Sequence, residues 1–309
     1  MNVNNGKQSV VESRVGIGVF VSPLSCINNT VSIPAPPLCP AGSVPVVDSN
    51  VFTPVKPARV TECIEVWKAE LKGDWNENYL IDGLSKGFSI IDVAGVPKST
   101  FRRNYKSTSM NKLKVEARIK EEISAGNYVL TSIKPSVISA LGAIPKDADD
   151  VRVIHDLSRP DGGVNKWALD TSVTYTSIDK VTEQITEGSY LATVDLRAAY
   201  RSIPINPSCY DLTGIMWKFE GDLDASYLFD SRLPFGASKS CAVFQSVTDS
   251  VSRIMGRKGY RVYAYLDDMI CVGVSQVDCQ ACFDTLIRLI EDLGLVVNWK
   301  KVSQPVQYF

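Results

Sequence analysis

Apolar and polar positions alternate with different periods along the chain, and each period predicts an element of secondary structure. Apolar side chains recur at helical spacing in five segments, which predict helices at 61–71, 113–123, 177–187, 239–256 and 276–293. Short runs that alternate in polarity, or that are apolar throughout, predict strands at 138–144, 151–155, 189–195, 201–205, 213–219, 225–230, 261–266 and 269–274. Strands mixed with helices and joined by hairpins and short loops indicate an α+β fold.

Proline and basic residues divide the first 132 residues into two parts. Residues 1–60 carry five prolines between positions 33 and 47, which fix φ and remove backbone donors, so we expect a disordered leader there. Residues 61–132 begin with a helical pattern and contain the strongest charge bias of the chain. We therefore expect a helical, basic extension at 61–132 that precedes a strand-rich part at 133–309.

Composition narrows the classes of protein that this chain can represent. The 309 residues are 45% hydrophobic and 22% charged, which is enough to bury a core and excludes global disorder. The one histidine, His155, excludes histidine-rich zinc sites, and its apolar neighbours in a predicted strand favour a structural role. The net charge of −1 argues at first against nucleic-acid binding, but residues 97–170 carry 13 basic and 9 acidic side chains. The distribution of charge therefore supports nucleic-acid binding rather than opposing it.

Eight cysteines are scattered along the chain, and residues 1–8 lack the cationic start and apolar stretch of a secretory signal. We therefore expect reduced thiols in an intracellular protein. No run of 18 apolar residues predicts a membrane span. Cys279 and Cys282 fall inside the amphipathic pattern of 276–293, which favours helix packing over a metal site.

The charge bias is concentrated between Pro97 and Lys120, where eight basic residues accompany one acid, Glu116. Phe101 and Tyr105 stand among these cations. Basic side chains interleaved with aromatic rings suit a nucleic-acid backbone and its bases. A solvated helix face explains the same residues equally well, because 113–123 has helical apolar spacing. The sequence leaves both interpretations open.

Two adjacent aspartates, Asp267 and Asp268, interrupt the apolar run of 263–273. Adjacent side chains of a regular strand point to opposite faces, whereas a tight hairpin turn lets both carboxylates face one space. Asp-Asp is a poor hairpin turn by propensity, and two like charges cost energy unless a cation neutralises them. A plain polar turn remains the alternative.

A third carboxylate, Asp195, ends the apolar strand predicted at 189–195, and Tyr200 follows five residues later. Asp195 beside the Asp-Asp turn would give a cluster of oxygen ligands, which selects hard cations such as Mg²⁺. Mg²⁺ held by few carboxylates together with substrate phosphates is typical of phosphoryl-transfer sites. The alternative is that Asp195 caps a short helix at 197–200.

These carboxylates belong to an ordered series of motifs that resembles reverse transcriptases, most closely those of DIRS-type retrotransposons and next those of gypsy-type LTR elements. The motifs are Arg152-Val-Ile-His-Asp156, Asp195 with Tyr200, Leu233-Pro-Phe-Gly236, Tyr265-Leu-Asp-Asp268, Asn298-Trp-Lys-Lys301 and the final Tyr308-Phe309. Asn165 and the segment 175–179 fit the same pattern. Six motifs in order at natural spacings argue strongly against a chance match.

The resemblance implies a right-hand polymerase fold, with fingers and palm at 133–309 and an antiparallel palm sheet packed on helices. Residues 61–132 would then extend the fingers. Because the sequence stops within the fifth motif, we expect the thumb to be missing and nucleic-acid binding to be weakened. Lys239, Ser240 and Cys241 depart from the gypsy-type second motif, but no departure touches a residue of the predicted metal site.

The resemblance also implies roles for individual residues. Asp195 and Asp267 would hold two Mg²⁺ ions, for which Mn²⁺ could substitute, and Asp268 would be the weaker ligand at the edge of the site. Lys301 matches the lysine that is proposed to protonate pyrophosphate, with Lys300 as its substitute.

The incoming nucleotide would contact Arg152, Lys146, Tyr200, Phe235 and Gly236. Arg152 matches the fingers arginine that grips the triphosphate, since a planar fork suits phosphate oxygens, and Lys146 is the candidate partner lysine. Tyr200 would lie under the sugar, where an aromatic ring clashes with a 2′-hydroxyl and so favours dNTPs over rNTPs. The alternatives are an ion pair of Arg152 with the nearby Asp156 and a core position for Tyr200. Gln245 is interpreted as structural.

The function implied is RNA-directed DNA polymerisation, in which dNTPs are added to a primer on an RNA or DNA template. A catalytically inactive, truncated retroelement remnant that acts at most as a nucleic-acid or protein interaction module is the alternative. A viral RNA polymerase is disfavoured by Tyr200 and by Tyr-Leu-Asp-Asp in place of Gly-Asp-Asp. We expect no membrane partner, and the sequence leaves the oligomeric state open.

Overall fold

The computed structural model describes residues 54–92, 100–147, 150–159, 163–169 and 172–308, and the statements below concern these residues. Most of the leader predicted at 1–60 lies outside them. Within these ranges the helices are α1 Arg59–Glu62, α2 Ile64–Leu71, α3 Glu77–Lys86, α4 Lys106–Met110, α5 Lys112–Ala125, α6 Ile178–Thr182, α7 Ser240–Arg257 and α8 Gln276–Asp292. The strands are β1 Thr100–Phe101, β2 Tyr128–Thr131, β3 Val137–Ile138, β4 Ala140–Asp147, β5 Asp150–Asp156, β6 Tyr190–Asp195, β7 Gly214–Trp217, β8 Ser226–Asp230, β9 Arg261–Tyr265, β10 Asp268–Gly273 and β11 Ser303–Gln307. Short 3₁₀ helices lie at Val164–Trp167, Ala199–Ser202 and Pro207–Leu212.

The α+β fold predicted from the sequence is confirmed, and the two long helices with one apolar face form as α7 and α8. Their apolar positions are buried, because the helical period puts all of them on one side. Cys279 and Cys282 are among the buried residues of α8, which confirms helix packing as their role. The helix predicted at 61–71 is interrupted at Cys63, which separates α1 from α2.

Two elements near the middle of the chain differ from the prediction. The helix predicted at 177–187 is too long, because α6 ends at Thr182 and buries none of its residues. The strand predicted at 201–205 is wrong, since its first residues belong to a 3₁₀ helix. Pro204 has no N–H to give to a ladder, and it makes only an isolated bridge with Arg232. The segment therefore formed the end of a 3₁₀ helix and isolated bridges rather than a strand.

The sheet that carries the aspartates is antiparallel and has the strand order β11-β6-β10-β9. β10 pairs with β6 so that Asp268 stands opposite Asp195, and with β9 so that Asp268 stands opposite Tyr265. α7 packs against β9, and α8 packs against β10, β6 and β11. The apolar side chains between this sheet and its helices form the larger of two cores, so the aspartates stand on a rigid support.

A second sheet, with the order β1-β3-β7-β8-β2, and the two-stranded hairpin β4–β5 share a smaller core. α5 packs on β2 and β5 and contributes Val115 and Ile119 to this core. The hairpin is therefore held by α5 on one side and remains separate from the sheet with the aspartates.

The helices α1 to α3 contribute to the larger core instead. The buried Trp67 donates from Nε1 to the carbonyl oxygen of Leu293 at 2.9 Å. Asp74 accepts two hydrogen bonds from Arg253 of α7, at 2.8 and 2.9 Å, and these bonds are the main cause of its lowered pKa.

Across the described ranges, every helix is too short or too polar to cross a bilayer.

Candidate active site

Three aspartates meet at one end of the four-stranded sheet. Asp195 is the last residue of β6 and Asp268 is the first of β10, and the antiparallel register puts them opposite each other. Asp267 lies in the turn between β9 and β10, where its carbonyl oxygen accepts from the N–H of Leu196 at 2.8 Å. The structure thus brings together the three aspartates that the sequence singled out.

Asp195 is buried and held by two residues of the segment before β11. Asn298 donates from Nδ2 to Asp195 Oδ1 at 2.6 Å, and its backbone N–H donates to the Asp195 carbonyl at 2.8 Å. Lys301 donates from Nζ to Asp195 Oδ2 at 2.7 Å. Lys301, which the sequence singled out, thus lies beside the aspartates. The contact of Asn298 was not predicted, although Asn298 stands in the same sequence motif as Lys301.

Negative charge accumulates at the aspartates. Partial burial raises the pKa of Asp268 to about 6, and the carboxylates of Asp267 and Asp195 add to the rise. Burial also raises the pKa of Asp267, with a further contribution from Asp195, while Lys301 and Arg152 oppose it. The like charges are therefore only partly compensated by the chain's own cations.

The carboxylate oxygens of this cluster are hard donor atoms. Within the described ranges, no three His, Cys, Asp or Glu side chains already stand in a metal-ligating arrangement. The chemistry nevertheless fits a hard divalent cation, because a cation among the carboxylates would remove the like-charge contribution that raises the pKa of Asp268. Asp195, Asp267 and Asp268 are the residues that would hold it.

The turn that carries Asp267 is supported from α7. Leu266 has a positive φ of 51°, a conformation that costs energy for a residue with a side chain. Its N–H donates to Gln245 Oε1 at 2.8 Å, and Gln245 Nε2 donates to Asp249 at 2.7 Å and to the Ala264 carbonyl at 3.2 Å. These bonds confirm the structural role predicted for Gln245, because they fix the strained turn beside the aspartates.

Tyr200 lies in a half-buried aromatic group. Its ring centre is 5.3 Å from that of Phe235 and 5.4 Å from that of Phe244. Its hydroxyl is 3.1 Å from Cys241 Sγ, and burial raises the pKa of the phenol. Ala198, two residues earlier, has a positive φ of 54°. Part of the Tyr200 ring packs in the core, and Phe235 beside it stays exposed.

Gly236 sits where no side chain fits. A Cβ at this position would come within 1.6 Å of the His155 carbonyl oxygen. Asn165 donates from Nδ2 to the Gly236 carbonyl at 2.8 Å and accepts from the N–H of Ser238 at 2.9 Å. The loop with Phe235 and Gly236 is therefore fixed against the end of β5, and Asn165, which the sequence also singled out, holds it there.

A cavity of about 280 Å³ is lined by residues of the β4–β5 hairpin, of α5, of β2, of the end of β8 and of the segments that follow β6 and β8. The hairpin contributes Lys146, Arg152 and the buried His155, and Ala198 and Phe235 come from the other segments. His155 is buried, which agrees with the structural role predicted for it, and burial lowers its pKa to about 4. The structure thus puts both predicted triphosphate-binding cations at one cavity.

The two hairpin cations differ in their surroundings. Lys146 Nζ lies 3.4 Å from a carboxylate oxygen of Asp150. Arg152 is exposed and makes no ion pair with Asp156, which instead accepts from the hydroxyl of Tyr105. The alternative pairing of Arg152 with Asp156 is therefore wrong, and the Arg152 guanidinium remains close enough to lower the pKa of Asp267.

Sequence reasoning missed a buried ion-pair network next to Tyr200. Arg201 donates to Asp230 at 2.8 Å and to Glu122 at 3.0 Å, and the side chains of Arg201 and Asp230 are 6% and 1% exposed. Burial by itself lowers the Arg201 pKa, but the charges of Asp230 and Glu122 outweigh it, and the net shift is upward. This network joins α5, β8 and the 3₁₀ helix of Tyr200. No sequence signal marked it, because the arginine fell in a presumed strand.

Comparison with known proteins gives one family match. The model of the family described as reverse transcriptase (RNA-dependent DNA polymerase) matches residues 144–307, which is more than half of the chain. No curated protein matches the chain. The matched residues include β5, the aspartates of β6 and β10, and the segment with Asn298 and Lys301. The chain belongs to the reverse transcriptase (RNA-dependent DNA polymerase) family.

Proposed function

We propose that this chain adds dNTPs to the 3′-hydroxyl of a primer while it copies an RNA or DNA template. The register of β6 and β10, which puts Asp268 opposite Asp195 with Asp267 in the adjoining turn, carries the proposal. In this proposal the four-stranded sheet with α7 and α8 is the palm, and the β4–β5 hairpin belongs to the fingers. The order of the motifs supports an origin in a DIRS-type retrotransposon, with gypsy-type LTR elements next.

The proposed centre consists of Asp195, Asp267 and Asp268, which would hold two Mg²⁺ ions or, in their place, Mn²⁺. When bound there, the ions supply Lewis acidity that lowers the pKa of the primer hydroxyl and charge that neutralises the leaving pyrophosphate. Asn298 keeps the Asp195 carboxylate in one orientation by its bond to Oδ1. A fixed carboxylate needs no reorganisation when substrate arrives.

The proposed triphosphate site is the cavity at the hairpin. Arg152 presents an exposed planar fork of donors that matches phosphate oxygens. Lys146 adds a second cation once it turns from Asp150 to the substrate. Both residues come from one hairpin, so closure of the hairpin over a nucleotide would deliver both charges together.

Lys301 is the proposed proton donor to the leaving pyrophosphate. Its hydrogen bond to Asp195 is the main cause of its raised pKa, so the ammonium form persists at neutral pH. The side chain is 63% exposed despite this bond, which leaves it accessible to a substrate phosphate.

Tyr200 and Phe235 are the proposed determinants of sugar choice. Their rings lie 5.3 Å apart, Phe235 lines the cavity with Arg152, and the charge of Asp267 contributes to the raised pKa of Tyr200. Packing of Tyr200 against Phe244 limits how far its ring can move aside for a 2′-hydroxyl.

Primer extension on an RNA template with Mg²⁺ and dNTPs tests the proposal, with the unchanged chain and its Asp267→Asn variant side by side. We expect extension by the unchanged chain and a loss of at least about 100-fold in the variant, because one carboxylate of the centre is gone. Asp82→Asn is the matched control, since Asp82 forms only an exposed ion pair with Lys86 on α3. Equal, background-level incorporation by the unchanged chain and Asp267→Asn would overturn the proposal.

A further inference from the structure

Residues 100–114 form a basic segment that precedes the region matched by the family. It carries five basic residues and no acid, in the order Arg102, Arg103, Lys106, Lys112 and Lys114. It comprises β1, α4 and the first turn of α5. The family match begins at residue 144, so nothing in that match assigns a role to this segment.

The basic segment is anchored to the edge of the hairpin. The N–H of Arg102 donates to the Ile138 carbonyl, and the N–H of Tyr105 donates to the Leu141 carbonyl, both at 2.9 Å. The side chain of Asn104 accepts from the Leu141 N–H, also at 2.9 Å. These bonds satisfy backbone groups that β3 and β4 would otherwise expose, so the segment has a fixed path along the two strands.

The last two cations of the wider basic stretch, Arg118 and Lys120, are neutralised within the fold. Lys120 pairs with Glu116 at 2.8 Å, and Arg118 pairs with Asp150 and with Glu121. Glu116, the one acid of the stretch, is 3% exposed and faces the smaller core. Glu116 therefore pairs with Lys120 and does not neutralise the exposed cations of residues 100–114. A solvated, self-neutralised helix face therefore describes Arg118 and Lys120.

The first part of the segment presents charge and aromatic surface together. Four of its cations are exposed and make no ion pair with any residue of the described ranges: Arg102, Arg103, Lys106 and Lys112. Phe101 is 44% exposed and Tyr105 is 36% exposed among them. Exposed rings between unpaired cations are the arrangement that binds unpaired bases and their phosphates at the same time.

We propose that the basic segment binds single-stranded nucleic acid, as the track for the unpaired template strand next to the polymerase centre. This role rests on the proposed function. The hydroxyl of Tyr105 bonds Asp156 at the end of β5, the strand that carries Arg152. The segment and the proposed nucleotide site are thus parts of one hairpin-based surface. A polyanion without bases would use the cations but not the rings.

Fluorescence anisotropy of the full chain with a labelled single-stranded RNA, without dNTPs and over a range of salt, tests the proposal. The variant Arg102→Gln/Arg103→Gln/Lys106→Gln is expected to lower the slope of log affinity against log salt by about 2, which is roughly a 100-fold loss at 0.1 M salt. Arg103→Gln alone is expected to lower the slope by about 0.7. Phe101→Ala is expected to weaken binding at least about 5-fold with an unchanged slope.

The matched control is Lys68→Gln/Lys72→Gln/Lys86→Gln, which removes three exposed cations of the α2–α3 region and should leave the slope unchanged. Unchanged binding by both the triple variant and Arg103→Gln would overturn the proposal. Equal competition by polyglutamate and by unlabelled RNA would also overturn it, in favour of an acidic polypeptide partner. Asp267→Asn should bind RNA as the unchanged chain does. If the unchanged chain binds RNA but does not extend a primer, the polymerase proposal is contradicted and the binding surface is supported. If the unchanged chain extends a primer and the triple variant binds RNA normally, the binding surface is contradicted and the polymerase proposal is supported.

Discussion

The carboxylate of Asp230 and the carboxylates at the end of the four-stranded sheet are held in opposite ways. Asp230 is 1% exposed, bonds Arg201 at 2.8 Å and accepts from the N–H of Arg232 at 3.0 Å. Burial raises its pKa, but Arg201 is the strongest influence against that rise. Arg201 and the N–H of Arg232 thus favour the ionised form of Asp230, although the charge of Glu122 opposes them.

At the sheet end, neighbours of the same charge accompany burial as a cause of the raised pKa values of Asp267 and Asp268. Lys301 and Asn298 bond Asp195 alone, and neither of the other two aspartates forms an ion pair with a residue of the described ranges. The difference teaches that Asp230 has a direct cationic partner within the fold, whereas the charge of Asp267 and Asp268 is compensated only in part by Lys301 and Arg152.

Removal of Asp230 should have the largest effect on stability. Asp230→Ala leaves the buried Arg201 without its main partner, and we expect a loss of about 3–5 kcal/mol in the free energy of unfolding. Urea titration followed by circular dichroism measures the change. Asp82→Ala, which breaks an exposed ion pair, should change stability by under about 1 kcal/mol. A similarly small effect of Asp230→Ala on stability would contradict the stabilising role that distinguishes Asp230 from the sheet-end aspartates.

Acid should destabilise the protein through His155. Burial lowers its pKa from 6.5 to about 4, so the imidazole takes up a proton more readily in the unfolded chain than in the folded one. The free energy of unfolding is therefore highest above pH 6.5 and falls as the pH drops through 4. The loss at pH 4 approaches about 3 kcal/mol. Unfolding titrations between pH 7 and pH 4 measure it, with His155→Leu as the comparison. Parallel profiles for both proteins would show that another group causes the acid sensitivity.

Tyr200→Ala should change the choice of sugar rather than the fold of the centre. Removal of the ring opens space where a 2′-hydroxyl would lie, and we expect the preference for dNTPs over rNTPs to fall about 10-fold or more. Single-nucleotide incorporation with a dNTP and the matching rNTP measures the ratio. Tyr190→Ala, at the opposite end of β6, is the control and should leave the ratio unchanged. An unchanged ratio for Tyr200→Ala would remove the sugar-gate role.

Asp268→Asn should give the smallest effect on stability, with the opposite sign to Asp230→Ala. The pKa of Asp268 is raised, so its ionised form is disfavoured in the folded state at pH 7, and removal of the charge should stabilise the cation-free protein by about 1 kcal/mol after solvent screening. Thermal unfolding in the presence of a chelator measures the shift. Destabilisation of the size seen for Asp230→Ala would contradict the account.

The sequence predicted the parts of the site that depend on local pattern. The apolar strand before Asp195 and the two apolar runs around Asp267 and Asp268 predicted β6, β9 and β10, because a period of two is set by each strand alone. It could not predict the contacts that join distant segments. Asn298 reaches Asp195 across 103 positions and Arg201 reaches Glu122 across 79, and such pairs depend on the packed fold.

The basic stretch shows the same division between local and distant information. Its charge was visible in the sequence, but the sequence left nucleic-acid binding and a solvated helix face equally open. The structure separates them, because burial of Glu116 and the pairing of Arg118 with Asp150 require the neighbouring sheet and hairpin. The exposed cations around Phe101 lack such partners among the described residues.

The central claim is that the chain's own cations compensate the sheet-end carboxylates only in part, and that a divalent cation binds there. Titration of the full chain with Mn²⁺, followed by the electron paramagnetic resonance signal of free Mn²⁺, measures this directly and needs no polymerase activity. We predict that the unchanged chain depletes the free signal and that Asp195→Asn/Asp267→Asn/Asp268→Asn does not, while Asp82→Asn behaves as the unchanged chain. Equal depletion by the unchanged chain and the triple variant would contradict the account.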